Sequence, residues 1–335
     1  MDIRAPRRVR YLFWLVLGAL STAIPEVIAG SDLFPFFKLT DFLLVIPLYT
    51  LHTLVLWYII WSNGKPRLYN LFPAGAIFGL YEAYMTKVIW SPTWSAYPLK
   101  VFGVAVIETL VLVFFWHSFL AFIVPLFVAE TALTNSREIA SRLPEWMWRR
   151  INNLKNGKSW IFLPMIAGLF QGINTPTVMD AALSGLTSTL IILLLIVLWK
   201  RVGDEKYSLR DLLPTQGEFR VLLITLLLYY GFMGVFWRPE ALPDIVPQAA
   251  VWSLYLIFGV LLALGLRKSN IDTTMNTEDN LFIRIRNMFY FGVIFSPCAV
   301  LGKATGLSII AVYLVWFGGI IFGLYTFVKV IILLR

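Results

Sequence analysis

Charge is scarce in this chain. Only 14% of its 335 residues are Asp, Glu, Lys or Arg, against 59% that are hydrophobic. Soluble domains carry about 25% charged residues, so the deficit excludes an ordinary soluble enzyme and indicates a polytopic membrane protein. Cysteine is also nearly absent. The single Cys298 excludes an intramolecular disulfide, and two histidines with one cysteine are too few for a structural zinc site. No Gly-rich phosphate loop, HExxH motif or GxSxG elbow occurs, so the common nucleotide, zinc-protease and serine-hydrolase signatures are missing. No cofactor and no metal is expected. The formal charge of +9 is read as topology signal and contact with anionic phospholipid headgroups at the cytoplasmic face, not as nucleic-acid binding.

What is present is a series of apolar runs of spanning length. They lie near 10–30, 42–62, 69–90, 99–129, 160–178, 181–200, 219–237, 246–266, 284–302 and 307–332. The expected fold is all-α, a transmembrane bundle of about ten helices with both termini inside. The first run has a basic head like a secretory leader, but its length of about 20 residues suits a retained span. The fourth run, about 31 residues and roughly 46 Å long as an α-helix, must tilt, bend at Pro125 or protrude. With the N-terminus inside, 22 lysines and arginines fall on inner segments and 4 on outer ones; Lys87 and Lys329 lie within apolar runs. Such a lopsided split follows the positive-inside rule. The plasma membrane of a prokaryote is the expected location.

The chain divides by pattern into a four-helix segment (1–130), a basic inner loop (131–158) and a six-helix segment (159–335). Within the loop, the stretch from Glu138 to Ile151 mixes Trp and Met with arginines, which suits a segment lying among headgroups. An ordinary solvated connector fits as well.

Function is sought where polarity is expensive. A charged side chain at the centre of a bilayer costs roughly 2.5–3.5 kcal/mol by insertion scales. Glu82, Glu108, His52 and Glu26 sit about 12, 14, 15 and 6 Å in from the outer ends of four consecutive helices by helix rise. Lys87 lies one and a half turns outward of Glu82, where it neutralises a carboxylate or snorkels to the headgroups. Such a cluster suits cation binding, proton relay or acid–base chemistry. The bland alternative is that each group only makes a helix–helix hydrogen bond. His117, about 27 Å from the outer end of its run, faces away from Glu108 on a regular α-helix, so the two share a small site only if the helix breaks. Glu130, at the inner boundary, is expected to be solvated. The second half offers few polar candidates and reads mainly as scaffold. The favoured function is a transporter-like or small-molecule-binding protein with a polar site between helices 1–4. The alternatives are an intramembrane hydrolase or lipid-modifying enzyme using Glu82 and His117, and a structural subunit.

Three blocks of residues carry a resemblance. Pro25-Glu26-Val27-Ile28-Ala29-Gly30-Ser31 closes the first helix. Gly79, Glu82, Lys87, Pro92 and Trp94 follow a Gly-x-x-Glu-Glu-x4-Lys … Pro-x-Trp pattern, and Glu108, His117, Pro125 and Glu130 a Glu … His … Pro … Glu pattern. The chain resembles a family of uncharacterised polytopic membrane proteins; Tyr81 stands where the first Glu of the pair belongs. The resemblance covers the first 130 residues and implies no activity. The order Glu, base, His is also faintly similar to the CAAX-processing type of intramembrane protease. Here the Glu pair is broken, the spacing to the base differs, and no histidine follows His117.

The charge split yields a topology test. Cysteines introduced at Asn156 and Thr274 are expected to label only from the cytoplasm, and one at Ser95 only from outside. Labelling of Ser95 and Asn156 from the same side would contradict the ten-helix arrangement.

Overall fold

A computed structural model describes residues 4–92, 94–95, 97–147, 159–203, 207–271 and 285–335. Trp148 to Ile151 of the expected headgroup segment, and the labelling positions Asn156 and Thr274, lie outside the described residues. The protein is an all-helical membrane bundle. Its elements are α1 (Arg7–Ala29), α2 (Leu39–Leu43), α3 (Val45–Asn63), α4 (Leu68–Gly79), α5 (Tyr81–Tyr84), the strands β1 (Lys100–Val101) and β2 (Val104–Ala105), and α6 (Val106–Thr109). A π-helix (Leu110–Ile123), α7 (Val124–Leu133), a 3-10 turn (Ala140–Arg142), α8 (Ser159–Gln171), α9 (Val178–Val202) and α10 (Gln216–Phe236) come next. A second 3-10 turn (Pro239–Ala241), α11 (Ile245–Ile271), α12 (Ile285–Thr305) and α13 (Ser308–Leu334) complete the order. Among the described residues, eight helices are long and apolar enough to cross a membrane.

Every expected apolar run contains helix, but two are too short to span as regular helices. Residues 69–90 give α4 of 12 residues and α5 of 4. The helix ends at Tyr84, and Lys87 then adopts φ 59°, in the left-handed region that a regular helix cannot contain. Residues 160–178 give α8 of 13 residues, closed by the Gly172-Ile173-Asn174-Thr175-Pro176 sequence. The fourth run begins later than expected, because residues 100–105 form a two-stranded antiparallel hairpin pairing Val101 with Val104. Two helix starts are fixed by capping boxes, Thr177 with Asp180 on α9 and Thr215 with Glu218 on α10.

The chain forms two compact units, each drawn from separate stretches of sequence. The first takes Met1–Thr50, Val124–Leu213 and Thr274–Gly318. In it, α1 packs on α7, α8 and α9, and α12 lies against α8 and α9. Phe13 meets Trp199 edge-on at 5.3 Å, and both indoles find carbonyls: Trp14 Nε1 on Leu212 at 2.8 Å and Trp199 Nε1 on Leu133 at 3.0 Å. Ile139, Leu143 and Met147 of the inner loop are buried in this unit. Glu130 is buried too, contrary to its expected solvation. Its carboxylate accepts from the backbone N–H groups of Ile139 at 2.9 Å and Ala140 at 3.1 Å, closing the start of the first 3-10 turn.

The second unit takes Leu51–Ile123, Pro214–Thr273 and Gly319–Arg335. Here α4 lies between the π-helix and α11, around an edge-to-face aromatic core of Phe72, Phe114, Phe258 and Phe327. The π-helix runs 14 residues, far beyond the single-turn bulges in which i→i+5 bonding usually appears. Side chains follow the same spacing: Ser118 Oγ donates to the Val113 carbonyl at 2.6 Å and His117 Nδ1 to the Leu112 carbonyl at 3.0 Å. α4 approaches it backbone to backbone. A Cβ on Gly75 would stand 2.7 Å from Ser118 Cα, and one on Gly79 3.0 Å from Val113 Cα and 3.1 Å from His117 Cβ.

Gly75→Ala is therefore expected to destabilise the solubilised protein by about 1–3 kcal/mol through overpacking. Gly259→Ala, where an added Cβ meets nothing within 4 Å, should be neutral or slightly stabilising. Thermal unfolding of both variants checks this. Equal midpoints would show that the α4–π-helix contact is not close.

Candidate functional site

The second unit brings three of the sequence candidates together. Glu82 comes from α5, His117 from the π-helix and His52 from α3, and all three are buried. Glu82 Oε1 lies 3.4 Å from His117 Nε2, and the Tyr81 hydroxyl lies 2.9 Å from the same nitrogen. The other carboxylate oxygen of Glu82 accepts from the Thr86 hydroxyl.

The tautomer of His117 follows from its partners. A backbone carbonyl can only accept, so the 3.0 Å contact to Leu112 places the proton on Nδ1. In the neutral ring, Nε2 is then the acceptor for the Tyr81 hydroxyl. Nε2 is also the atom that gains a proton when the ring is charged, and the nearest carboxylate oxygen is that of Glu82.

The geometry of a regular α-helix separates His117 from Glu108; the structure sets His117 beside Glu82, on a helix of another kind. The helix starts at Val106, not near residue 99, so His117 is at most about 17 Å along it. The i→i+5 winding also removes the 100° register on which the opposite-face argument rested.

His52 occupies the next layer. Its ring stacks on Phe78 at 4.7 Å and lies 5.6 Å from Tyr81. Nε2 is hydrogen-bonded to the Tyr230 hydroxyl at 2.9 Å, which lies 3.4 Å from the Tyr255 hydroxyl. Tyr230 and Tyr255 come from α10 and α11, so the second half of the chain supplies site residues as well as scaffold. Sequence reading missed them because a tyrosine in an apolar helix carries no charge signal.

Lys87 goes elsewhere. Its side chain is fully buried, and its ammonium donates to the Met233 carbonyl at 3.1 Å and to the Trp237 carbonyl. It thus caps the C-terminal end of α10, where unsatisfied carbonyls and the helix dipole favour a cation. Its partners are these carbonyls and not the Glu82 carboxylate it was expected to neutralise.

Glu108, in α6, is buried and its Oε2 has no hydrogen-bond partner. A 2.8 Å bond from Ala105 N to Ile89 O ties the start of α6 to the turn after α5. Glu26 belongs to the first unit. It accepts from Tyr49 and Ser31, each at 2.5 Å. Beside it, Lys38 lies 2.8 Å from Asp32 and 3.4 Å from Asp41. Among the described residues, no group of three or more His, Cys, Asp or Glu side chains is arranged to hold a metal ion.

Residues 15–335 match a family described as an uncharacterized membrane protein family. The chain belongs to this family. A protein of Archaeoglobus fulgidus, described as uncharacterized, is 32% identical over 257 residues, covering 76% of this chain and 78% of its own length. No solved structure matches. The match spans nearly the whole chain, where the resemblance read from Gly79, Glu82, Lys87, Glu108 and His117 covered its first 130 residues.

The geometry gives Lys87 a stability role with a definite sign. Lys87→Met should destabilise by roughly 1–3 kcal/mol, because buried carbonyls lose their donor. Adding Glu82→Gln should recover none of it. Recovery in the double variant, read from thermal unfolding, would show that Lys87 neutralises Glu82 after all.

Proposed function

We propose that this membrane protein is transporter-like and exchanges a proton held by Glu82 and His117 for a cation or a cationic small molecule. The observation that carries the reading is the 3.4 Å approach of Glu82 Oε1 to His117 Nε2 within a buried site. With one shared proton the pair is neutral, whichever of the two groups holds it. Removing that proton leaves a net negative charge in a low-dielectric interior, which is strongly disfavoured unless a cation takes its place. Proton release and cation entry are therefore coupled by electrostatics alone. Glu108, buried in the same unit, is a further carboxylate that could take part. The archaeal relative supports a prokaryotic cytoplasmic membrane as the setting. The arginine-rich inner segments suit N-in, C-in insertion and anionic headgroups on the inner face.

The same contact favours a second reading, an intramembrane hydrolase in which Glu82 and His117 activate a water. Substrate-dependent proton or cation flux separates the first reading from the second, which requires turnover of a substrate instead.

Glu82→Gln keeps shape and hydrogen bonding but removes the titrating charge. It should fold normally and lose proton uptake between roughly pH 5 and 8, where a buried carboxyl titrates. Uptake curves identical to wild type across that range would remove Glu82 from the site.

A further inference from the structure

Two cations, Lys87 and Arg238, cross-link the segment after α5 to the end of α10, and they do so reciprocally. Lys87, in the turn after α5, donates to Met233 and Trp237 at the end of α10. Arg238, immediately after α10, donates in the opposite direction. Its two terminal nitrogens reach the Thr86 carbonyl at 3.0 Å and the Ser91 carbonyl at 3.1 Å. Both residues sit in the left-handed region, at φ 59° and 49°. That conformation is costly for a side chain with a Cβ, and it persists where surrounding bonds enforce it. The clasp therefore holds two strained backbones against each other through four cation-to-carbonyl bonds.

Thr86 belongs to both the clasp and the site. Its carbonyl accepts from Arg238, and its hydroxyl donates to Glu82. We infer that the Lys87–Arg238 clasp is a positioning device for Glu82, acting through Thr86, and that it ties the proton affinity of Glu82 to the position of the end of α10. While the clasp is closed, the Thr86 hydroxyl is aimed at the carboxylate and stabilises its charged form. When the end of α10 moves away, Arg238 releases the Thr86 carbonyl, the turn relaxes, and Glu82 loses that donor. In the exchange reading on which this inference rests, the clasp is how helix movement changes the hold on the proton. Arg238 suits the role because its planar fork spans two carbonyls at once, which a lysine cannot.

The titratable or charged groups packed around Glu82 are His117 on the π-helix, 3.4 Å from it, Tyr81 on its own segment and, in the next layer, His52 of α3 with Tyr230 of α10 hydrogen-bonded to it. Arg238, after α10, reaches the Thr86 carbonyl. Substitution of Arg238 leaves the nearest of these, His117 and Tyr81, in place.

The test is infrared difference spectroscopy of the protonated carboxyl band, recorded against pH on the full-length protein in lipid. Wild type should show a band that Glu82→Gln lacks. Thr86→Val should move that band to higher frequency and move its titration midpoint upward, because the carboxylate loses a donor. Arg238→Gln should produce the same two shifts, and Arg238→Gln/Thr86→Val no more than either alone. If Arg238→Gln fails to fold, Arg238→Lys, which keeps the charge and loses the fork, should give shifts in the same direction. A band and midpoint that stay at their wild-type values in the Arg238 variants, even if the melting temperature falls, would overturn the clasp as a positioning device. Absence of any band lost in Glu82→Gln would overturn the exchange reading itself, and the clasp inference with it.

Discussion

The close approach of α4 to the π-helix is the constraint on which the site depends. Gly75 and Gly79 leave no room for a Cβ between the two backbones. That proximity sets Tyr81 and Glu82, which follow directly in sequence, beside His117. The π-helix meets the same requirement from its side, since i→i+5 winding brings the side chains of His117 and Ser118 onto the Leu112 and Val113 carbonyls five residues back. A glycine face and an unusual helix are thus two halves of one arrangement. Neither alone would set an imidazole against a carboxylate in an apolar interior.

Around that pair the second unit is arranged in shells. Tyr81 and Thr86 hold the two ends of the Glu82–His117 contact. Beyond them, His52, Tyr230 and Tyr255 form a further hydrogen-bonded group, and Lys87 and Arg238 fasten the segment to the end of α10. Buried polar groups are tolerated where their bonds are complete, and here most are. Glu108 Oε2 is an exception.

Much of the fold was legible because hydropathy is a coarse and additive signal. All ten apolar runs contain helix, and the eight spans emerge from length and composition. The breaks were not legible. The stop after Tyr84 is marked by a left-handed lysine, and the hairpin at 100–105 hides in an apolar stretch with no strong turn signal beyond Gly103. The π-helix has no sequence signature at all, and a 100° register does not apply along it. In the site, Glu82, His117 and His52 could be found because polarity in an apolar run is costly and therefore conspicuous. Tyr230 and Tyr255 could not, because their apolar rings conceal one hydroxyl each. Lys87 was found but misassigned: its partners are carbonyls 146 and 150 residues away in sequence, and backbone acceptors leave no mark in a sequence. Arg238 was hidden in the same way, since its partners are the carbonyls of Thr86 and Ser91.

The claim that everything else serves is that Glu82 and His117 share a proton at Nε2. Nitrogen-15 NMR of the His117 ring tests it most directly. The account requires Nδ1 to stay protonated at every pH, fixed by Leu112, while the Nε2 resonance titrates in wild type and shifts its midpoint in Glu82→Gln. A ring protonated on Nε2 alone, or an Nε2 resonance that titrates identically with and without the Glu82 carboxylate, would contradict it.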